Sequence, residues 1–206
     1  MIINSTISLP GDKSISHRSI MLASIASGIS HIKNLNDGKD LHSTIKAMQS
    51  CGALIKQEKD TIVVTGSRLA NPTKPIDCGN SGTTSRLLTG LLSSQHLSFS
   101  LIGDESLSKR PMNRVIKPLK EMGCIIKSND GLLPIHIDAS NSFKGIDYKM
   151  PIASAQVKSA ILLAGLGAKN PSVVKELKHS RNHSEIMLES MGANIVVDDN
   201  LSLIHI

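Results

Sequence analysis

The feature that most constrains the fold is an internal repeat of about 70 residues, kept in step by two independent markers. The first is a helix opening in which a small residue is followed, four positions on, by a cation. It occurs as Ser14-Ile15-Ser16-His17-Arg18, Gly82-Thr83-Thr84-Ser85-Arg86 and Ser154-Ala155-Gln156-Val157-Lys158, with 68 residues from Arg18 to Arg86 and 72 from Arg86 to Lys158. The second is a glycine, Gly52, Gly123 and Gly192, that closes an amphipathic helix at intervals of 71 and 69 residues. Glycine at that place supplies the left-handed residue that ends a helix. A supersecondary unit copied three times satisfies both markers.

Periodicity fills in each unit. The first reads as helices over 16–27 and 41–51 with strands over 29–33, 54–57 and 61–65. The second reads as helices over 83–93 and 112–122 with strands over 97–102, 124–127 and 133–137. The third reads as helices over 155–166 and 184–191 with strands over 172–177, 194–197 and 201–206. With lead-in strands over 75–78 and 145–150, each unit is β-α-β-α-β-β, and the units run over about 13–66, 67–138 and 139–206. The first helix of each unit is apolar nearly all round, which requires burial on every side. The expected fold is therefore α/β (α+β), a lobe with three helices inside and sheets outside. A pseudo-threefold axis would gather the three helix starts at one end. Helix starts offer unpaired N–H groups and partial positive charge, so small hydroxyl residues and a cation beside them make an anion receptor. Three of them suit a ligand with several anionic groups.

At 206 residues and 40% apolar content the chain can bury a real core, built from aliphatic residues because only Phe99, Phe143 and Tyr148 are aromatic. That scarcity weighs against nucleic acid despite the net charge of +6, since the stacking platforms are missing and the cations are dispersed. Small anionic molecules fit the charge better. Cys51, Cys78 and Cys124 are odd in number and widely spaced, as reduced core thiols are. No apolar run suits a membrane span and no leader pattern opens the chain, so the expected setting is cytoplasmic, with no membrane partner.

Three segments carry candidate chemistry. Gly11-Asp12-Lys13-Ser14 resembles the end of a phosphate-binding P-loop but lacks its earlier glycine, leaving either an oxyanion-holding lysine or a solvated lysine before an N-cap serine, Ser14. Asp77-Cys78-Gly79-Asn80-Ser81-Gly82-Thr83-Thr84-Ser85-Arg86 sets glycines and N–H groups where a ligand can approach, with a core-edge ion pair as the alternative use of Arg86. In Lys109-Arg110-Pro111-Met112, Pro111 reads as a first helical residue, and Arg110 as a carboxylate or phosphate fork or as a solvated loop residue. The eight histidines show no metal spacing, and His179 and His183 flank Arg181, which repels a cation. No Ser-His-Asp or Cys-His set can be assembled.

Together, Leu9-Pro10-Gly11-Asp12-Lys13-Ser14-Ile15-Ser16-His17-Arg18, Gly79-Asn80-Ser81-Gly82-Thr83-Thr84, Lys109-Arg110-Pro111-Met112 and Ser154-Ala155-Gln156-Val157-Lys158-Ser159-Ala160 closely resemble the bacterial branch of the EPSP synthases, the 3-phosphoshikimate 1-carboxyvinyltransferases. The resemblance implies transfer of the enolpyruvyl group of phosphoenolpyruvate to the 5-hydroxyl of shikimate 3-phosphate, with no cofactor or metal and a monomeric full-length protein. It implies that Lys13 touches both substrates and is the catalytic residue here, and that Ser14, Arg18, Ser154, Gln156 and Ser180, with nearby Arg181, hold shikimate 3-phosphate. Asn80, Gly82 and Arg110, with Lys13 and Gln156, would hold phosphoenolpyruvate. His183 stands where some relatives have tyrosine and Ala155 where others have a second serine. Arg86 and Lys158 have the weaker claim and would brace the lobe.

The family has two lobes, and this chain covers one. The resemblance implies that residues 1–12 belong with the second lobe, which would also carry the acid and base carboxylates. The expectation is an incomplete chain, inactive alone. Two other readings are a non-catalytic phosphometabolite-binding module and a relative of the UDP-N-acetylglucosamine enolpyruvyl transferases, which carry Lys-Asn where this chain has Lys13-Ser14.

Overall fold

The computed structural model describes residues 9–140, 142–199 and 201–205. The first unit comprises α1 (Lys13–Ile25), β1 (Ile29–Lys33), α2 (Lys39–Ser50), β2 (Leu54–Glu58) and β3 (Thr61–Thr65). The second comprises β4 (Ile76–Asp77), α3 (Gly82–Ser94), β5 (Phe99–Ile102), α4 (Glu105–Ser108), α5 (Asn113–Glu121), β6 (Ile125–Asn129) and β7 (Leu132–Asp138). The third comprises β8 (Asp147–Lys149), α6 (Ala155–Gly165), β9 (Ser172–Lys175), α7 (His183–Ser190), β10 (Asn194–Asp198) and β11 (Leu201–His205).

Each unit closes one sheet. The strand orders are β1-β3-β2, β4-β5-β7-β6 and β8-β9-β11-β10. The lead strands β4 and β8 run parallel to β5 and β9, and all other neighbours are antiparallel. Parallel neighbours need a crossover, which α3 and α6 provide. Alternation then decides which face is covered: in β7, Leu133, Ile135 and Ile137 point inward while Pro134, His136 and Asp138 point out.

The three inner helices are buried as their composition demands. In α6 every residue from Val157 to Gly165 is buried, and in α3 only Thr83 and Arg86 are not. Close approach of these helices depends on Gly90, whose added Cβ would stand 2.0 Å from the Ala160 carbonyl oxygen. The helix-closing glycines Gly52, Gly123 and Gly192 have φ of 92°, 99° and 88°, the left-handed values their position requires. The three cysteines are free and buried, and burial pushes their thiols up to about 11 for Cys51, 12 for Cys78 and 11 for Cys124.

Four expectations change. The first unit has no lead-in strand among the described residues, so it reads α-β-α-β-β; residues 1–8 of the expected leading segment, and position 206 of the expected last strand, lie outside them. Helix α1 begins three residues earlier than its apolar stripe because Asp12, not Ser14, is the N-cap, its carboxylate accepting from the Ile15 N–H at 2.8 Å. Pro111 precedes the cap residue Met112 of α5 rather than being its first helical residue. The loop before it contains the short α4, capped by Asp104, which accepts from the Leu107 N–H at 2.7 Å.

Candidate functional site

The N-terminal ends of α1, α3 and α6 converge. A cavity of about 250 Å³ is lined by Asp12, Lys13, Ser14, Arg18, Thr83, Ala155, Gln156 and Arg181. All three helix openings thus contribute to one wall, with Lys13, Arg18 and Arg181 as its cations. Unpaired first-turn N–H groups add to that positive field.

Four of the cavity's side chains are held from behind. Lys13 reaches back to Asp40 on α2, a pair half open to solvent. Arg18 is 3% exposed and donates from Nε to Ser184 Oγ at 2.7 Å, from Nη1 to Ser14 Oγ at 2.7 Å and from Nη2 to Ser159 Oγ at 2.5 Å. Burial lowers its pKa to about 10, partly offset by the attraction of Glu185, so it stays a cation. Ser14 Oγ also lies 3.0 Å from His183 Nδ1, which places that histidine in the wall's support. Gln156 is clamped by its neighbours in the second unit: Oε1 accepts from Arg86 Nη1 and Nε2 donates to Thr83 Oγ1, both at 3.0 Å.

A second cluster lies alongside. Arg110 Nη2 donates to Asn80 Oδ1 at 2.6 Å and to Ser106 Oγ at 3.2 Å, and Asn80 Nδ2 donates to Asp104 at 2.7 Å. The Asp104 carboxyl is held below its usual range, first by the Leu107 N–H and then by Asn80. Gly82 sits between the arginines: a Cβ there would meet Arg86 Nη1 at 2.6 Å and Arg110 Nη1 at 3.7 Å. Arg86, touching Gly82 on one side and Gln156 on the other, joins this cluster to the main cavity.

The structure therefore brings together Lys13, Ser14, Arg18 and Gln156, and, as a neighbouring group, Asn80, Gly82 and Arg110. Two anticipated residues are not among the cavity's lining and bond within the protein. Ser154 Oγ caps α6, accepting from the Val157 N–H at 3.4 Å. Ser180 donates its proton to Glu176 at 2.5 Å, so it is Arg181 that lines the cavity from this loop. Lys158 is buried, 2.6 Å from both Glu176 and Glu185, which fits a brace. Arg86 has no carboxylate within ion-pair reach among the described residues, so the core-edge ion pair is not its use. Its pKa is lowered by burial and by the nearby cations Arg110 and Arg114.

Asp40, Thr83 and Asp12 escaped the sequence reading. Asp12 had a signal, since an acidic residue directly before a helix is a favoured N-cap. Thr83 lies in the glycine-rich segment but carries no mark of its own. Asp40 pairs across 27 residues of chain, which no local pattern reveals.

Beneath the site runs a buried polar chain. His17 Nδ1 lies 2.6 Å from Thr44 Oγ1, Thr44 lies 2.7 Å from Thr84 Oγ1, and Thr84 donates to Ser81, the N-cap of α3, at 2.7 Å. Burial, then the charge of Lys13, depresses the His17 pKa to about 4, so its ring is neutral at pH 7.

Known proteins similar to this chain point to one family. A family model described as EPSP synthase (3-phosphoshikimate 1-carboxyvinyltransferase) matches residues 2–205. The 3-phosphoshikimate 1-carboxyvinyltransferase of Vesicomyosocius okutanii is 49% identical over 195 residues, which is 93% of this chain and 45% of that protein. That of Oenococcus oeni is 50% identical over 197 residues, 94% of this chain and 45% of the relative. The solved EPSP synthase of Acinetobacter baumannii superposes with a TM-score of 0.92 at 41% identity, over 96% of this chain and 46% of that one. The chain thus spans about half the length of the relatives it matches.

Proposed function

The chain belongs to the EPSP synthase family, and on that premise we propose that it is the shikimate 3-phosphate-binding lobe of an enolpyruvyl transferase. The reaction moves the enolpyruvyl group of phosphoenolpyruvate to the 5-hydroxyl of shikimate 3-phosphate and releases phosphate. The observation that carries this reading is the convergence of three helix openings, with Lys13, Arg18 and Arg181, on one cavity. Two substrates that each bear a phosphate and a carboxylate repel one another. A site that joins them needs fixed cations and oriented N–H groups so that both are held at once.

The two neighbouring groups divide the work. Lys13, Ser14, Arg18, Gln156 and Arg181 hold shikimate 3-phosphate, with the α6 N–H groups behind the Ser154 cap facing its phosphate. Ser180 joins them only when its proton turns from Glu176 to the ligand. Asn80, Gly82 and Arg110 hold phosphoenolpyruvate, and Lys13 and Gln156 lie where both can be touched. The hydroxyl oxygen gives up its proton to a base and attacks C2 of phosphoenolpyruvate as C3 takes a proton from an acid. The tetrahedral intermediate then loses phosphate as a proton leaves C3, so a general acid and a general base are required. Lys13 is the one such group this chain contributes; the carboxylates belong to the second lobe, and the chain alone is inactive.

Calorimetric titration of the 206-residue chain tests the reading. Saturable binding of shikimate 3-phosphate, with none of UDP-N-acetylglucosamine or ATP, is expected. Preference for the UDP-sugar, or no response to shikimate 3-phosphate, would overturn it. Steady release of phosphate from phosphoenolpyruvate by the purified chain, in the presence of shikimate 3-phosphate, would refute the claim of inactivity.

A further inference from the structure

Arg18, Arg86 and Lys158 occupy one position of the repeat, four residues after the start of each helix opening, yet the fold treats them differently. Arg18 and Lys158 are each 3% exposed and lie near buried carboxylates, Glu185 for the first and both Glu176 and Glu185 for the second. Arg86 is only half-buried and has no carboxylate partner among the described residues. Among the described residues its hydrogen bonds go to neutral oxygens: Gln156 Oε1 at 3.0 Å, the Pro111 carbonyl at 3.2 Å and the Gly82 carbonyl at 3.4 Å. The last two are backbone carbonyls, reached by Nη2 and Nη1 respectively, and among the described residues the side chain that accepts from Arg86 is Gln156.

An amide has one accepting and one donating end, and either can face a ligand. The Arg86 fork can only donate, so it can satisfy Gln156 only through Oε1. With Oε1 turned to Arg86 and one Nε2 hydrogen given to Thr83 Oγ1, the second Nε2 hydrogen is left for the cavity that Gln156 lines. We propose that Arg86 is a positioning residue that locks the Gln156 amide with its N–H end toward the anionic ligand. The inference rests on the function proposed above. Gly82 belongs to the same device: its missing side chain leaves the space that Arg86 Nη1 occupies, 2.6 Å from where a Cβ would stand.

Two measurements on the 206-residue chain test this, one without ligand. In nitrogen-15 correlation spectra the Gln156 side-chain pair, identified by its absence in Q156A, should shift in R86K, because lysine keeps the charge but not the planar fork. In titrations with shikimate 3-phosphate, R86A and Q156A should each weaken binding about tenfold, the loss of one hydrogen bond to a charged group. The double variant should be no weaker than the poorer single one, and R86K should not restore affinity. An unshifted Gln156 pair, additive losses in the double variant, or rescue by R86K would each overturn the role given to Arg86. A wild-type chain that ignores shikimate 3-phosphate would instead count against the function, with the spectral test still deciding whether Arg86 holds the amide.

Discussion

The openings of the second and third units are copies of one motif with opposite electrostatic fates. At the third, Lys158 is enclosed with Glu176 and Glu185, the three side chains 4%, 4% and 1% exposed. At the second, Arg86 stands behind Gln156 with Arg110 and Arg114 nearby, and no carboxylate lies within ion-pair reach of it among the described residues. The difference separates structure from function within one repeat position. A cation whose charge is balanced inside the protein has no field left for a ligand, whereas an unbalanced cluster is completed by an anion from outside.

The sharpest way to break the comparison is to remove each cation. Lys158→Met should cost about 3–5 kcal/mol in denaturant unfolding, because two buried carboxylates lose their counter-charge. Arg86→Met should cost under about 1 kcal/mol, because the side chain is only half-buried and no carboxylate among the described residues loses its counter-charge. Equal losses would dissolve the distinction.

Acid acts next. His17 is fully buried and its pKa falls from 6.5 to about 4 on folding, so the unfolded chain binds the extra proton first. Its contribution is therefore complete above pH 6.5 and is lost as pH falls toward about 4, by at most about 3 kcal/mol. Unfolding curves across that window should show the slope, and H17Q should flatten it.

Two glycines sharpen the contrast further. Gly90→Ala should destabilise by about 1–3 kcal/mol, because its Cβ meets the backbone oxygen of Ala160, which cannot swing aside. Gly82→Ala should leave stability within about 0.5 kcal/mol, because the atom it meets is the movable end of Arg86. Thermal melts decide both, and in G82A the Gln156 side-chain resonances should move although the melting temperature does not.

Much of this lobe was legible in the sequence because its signals are local. The glycine stops, the all-round apolar helices and the alternating strands each follow from neighbours a few residues apart. Strands such as β1 and β3 match their expected bounds residue for residue. The grouping of Asn80, Gly82 and Arg110, by contrast, came only with the family resemblance, since each motif read by itself left its use open. What stayed hidden were partnerships across distance: Lys13 with Asp40, Ser180 turned to Glu176 rather than to the cavity, and Gln156 clamped by Arg86 across 70 residues of chain.

The sequence by itself determined that three copies of one helix opening exist and that each carries a cation, since spacing and residue type suffice for that. Only the tertiary structure decided which of these cations are consumed. Charge balance depends on which carboxylates the fold brings within about 3 Å in a desolvated place, and Coulomb energy at that range is set by distance and burial, neither of which chain spacing records.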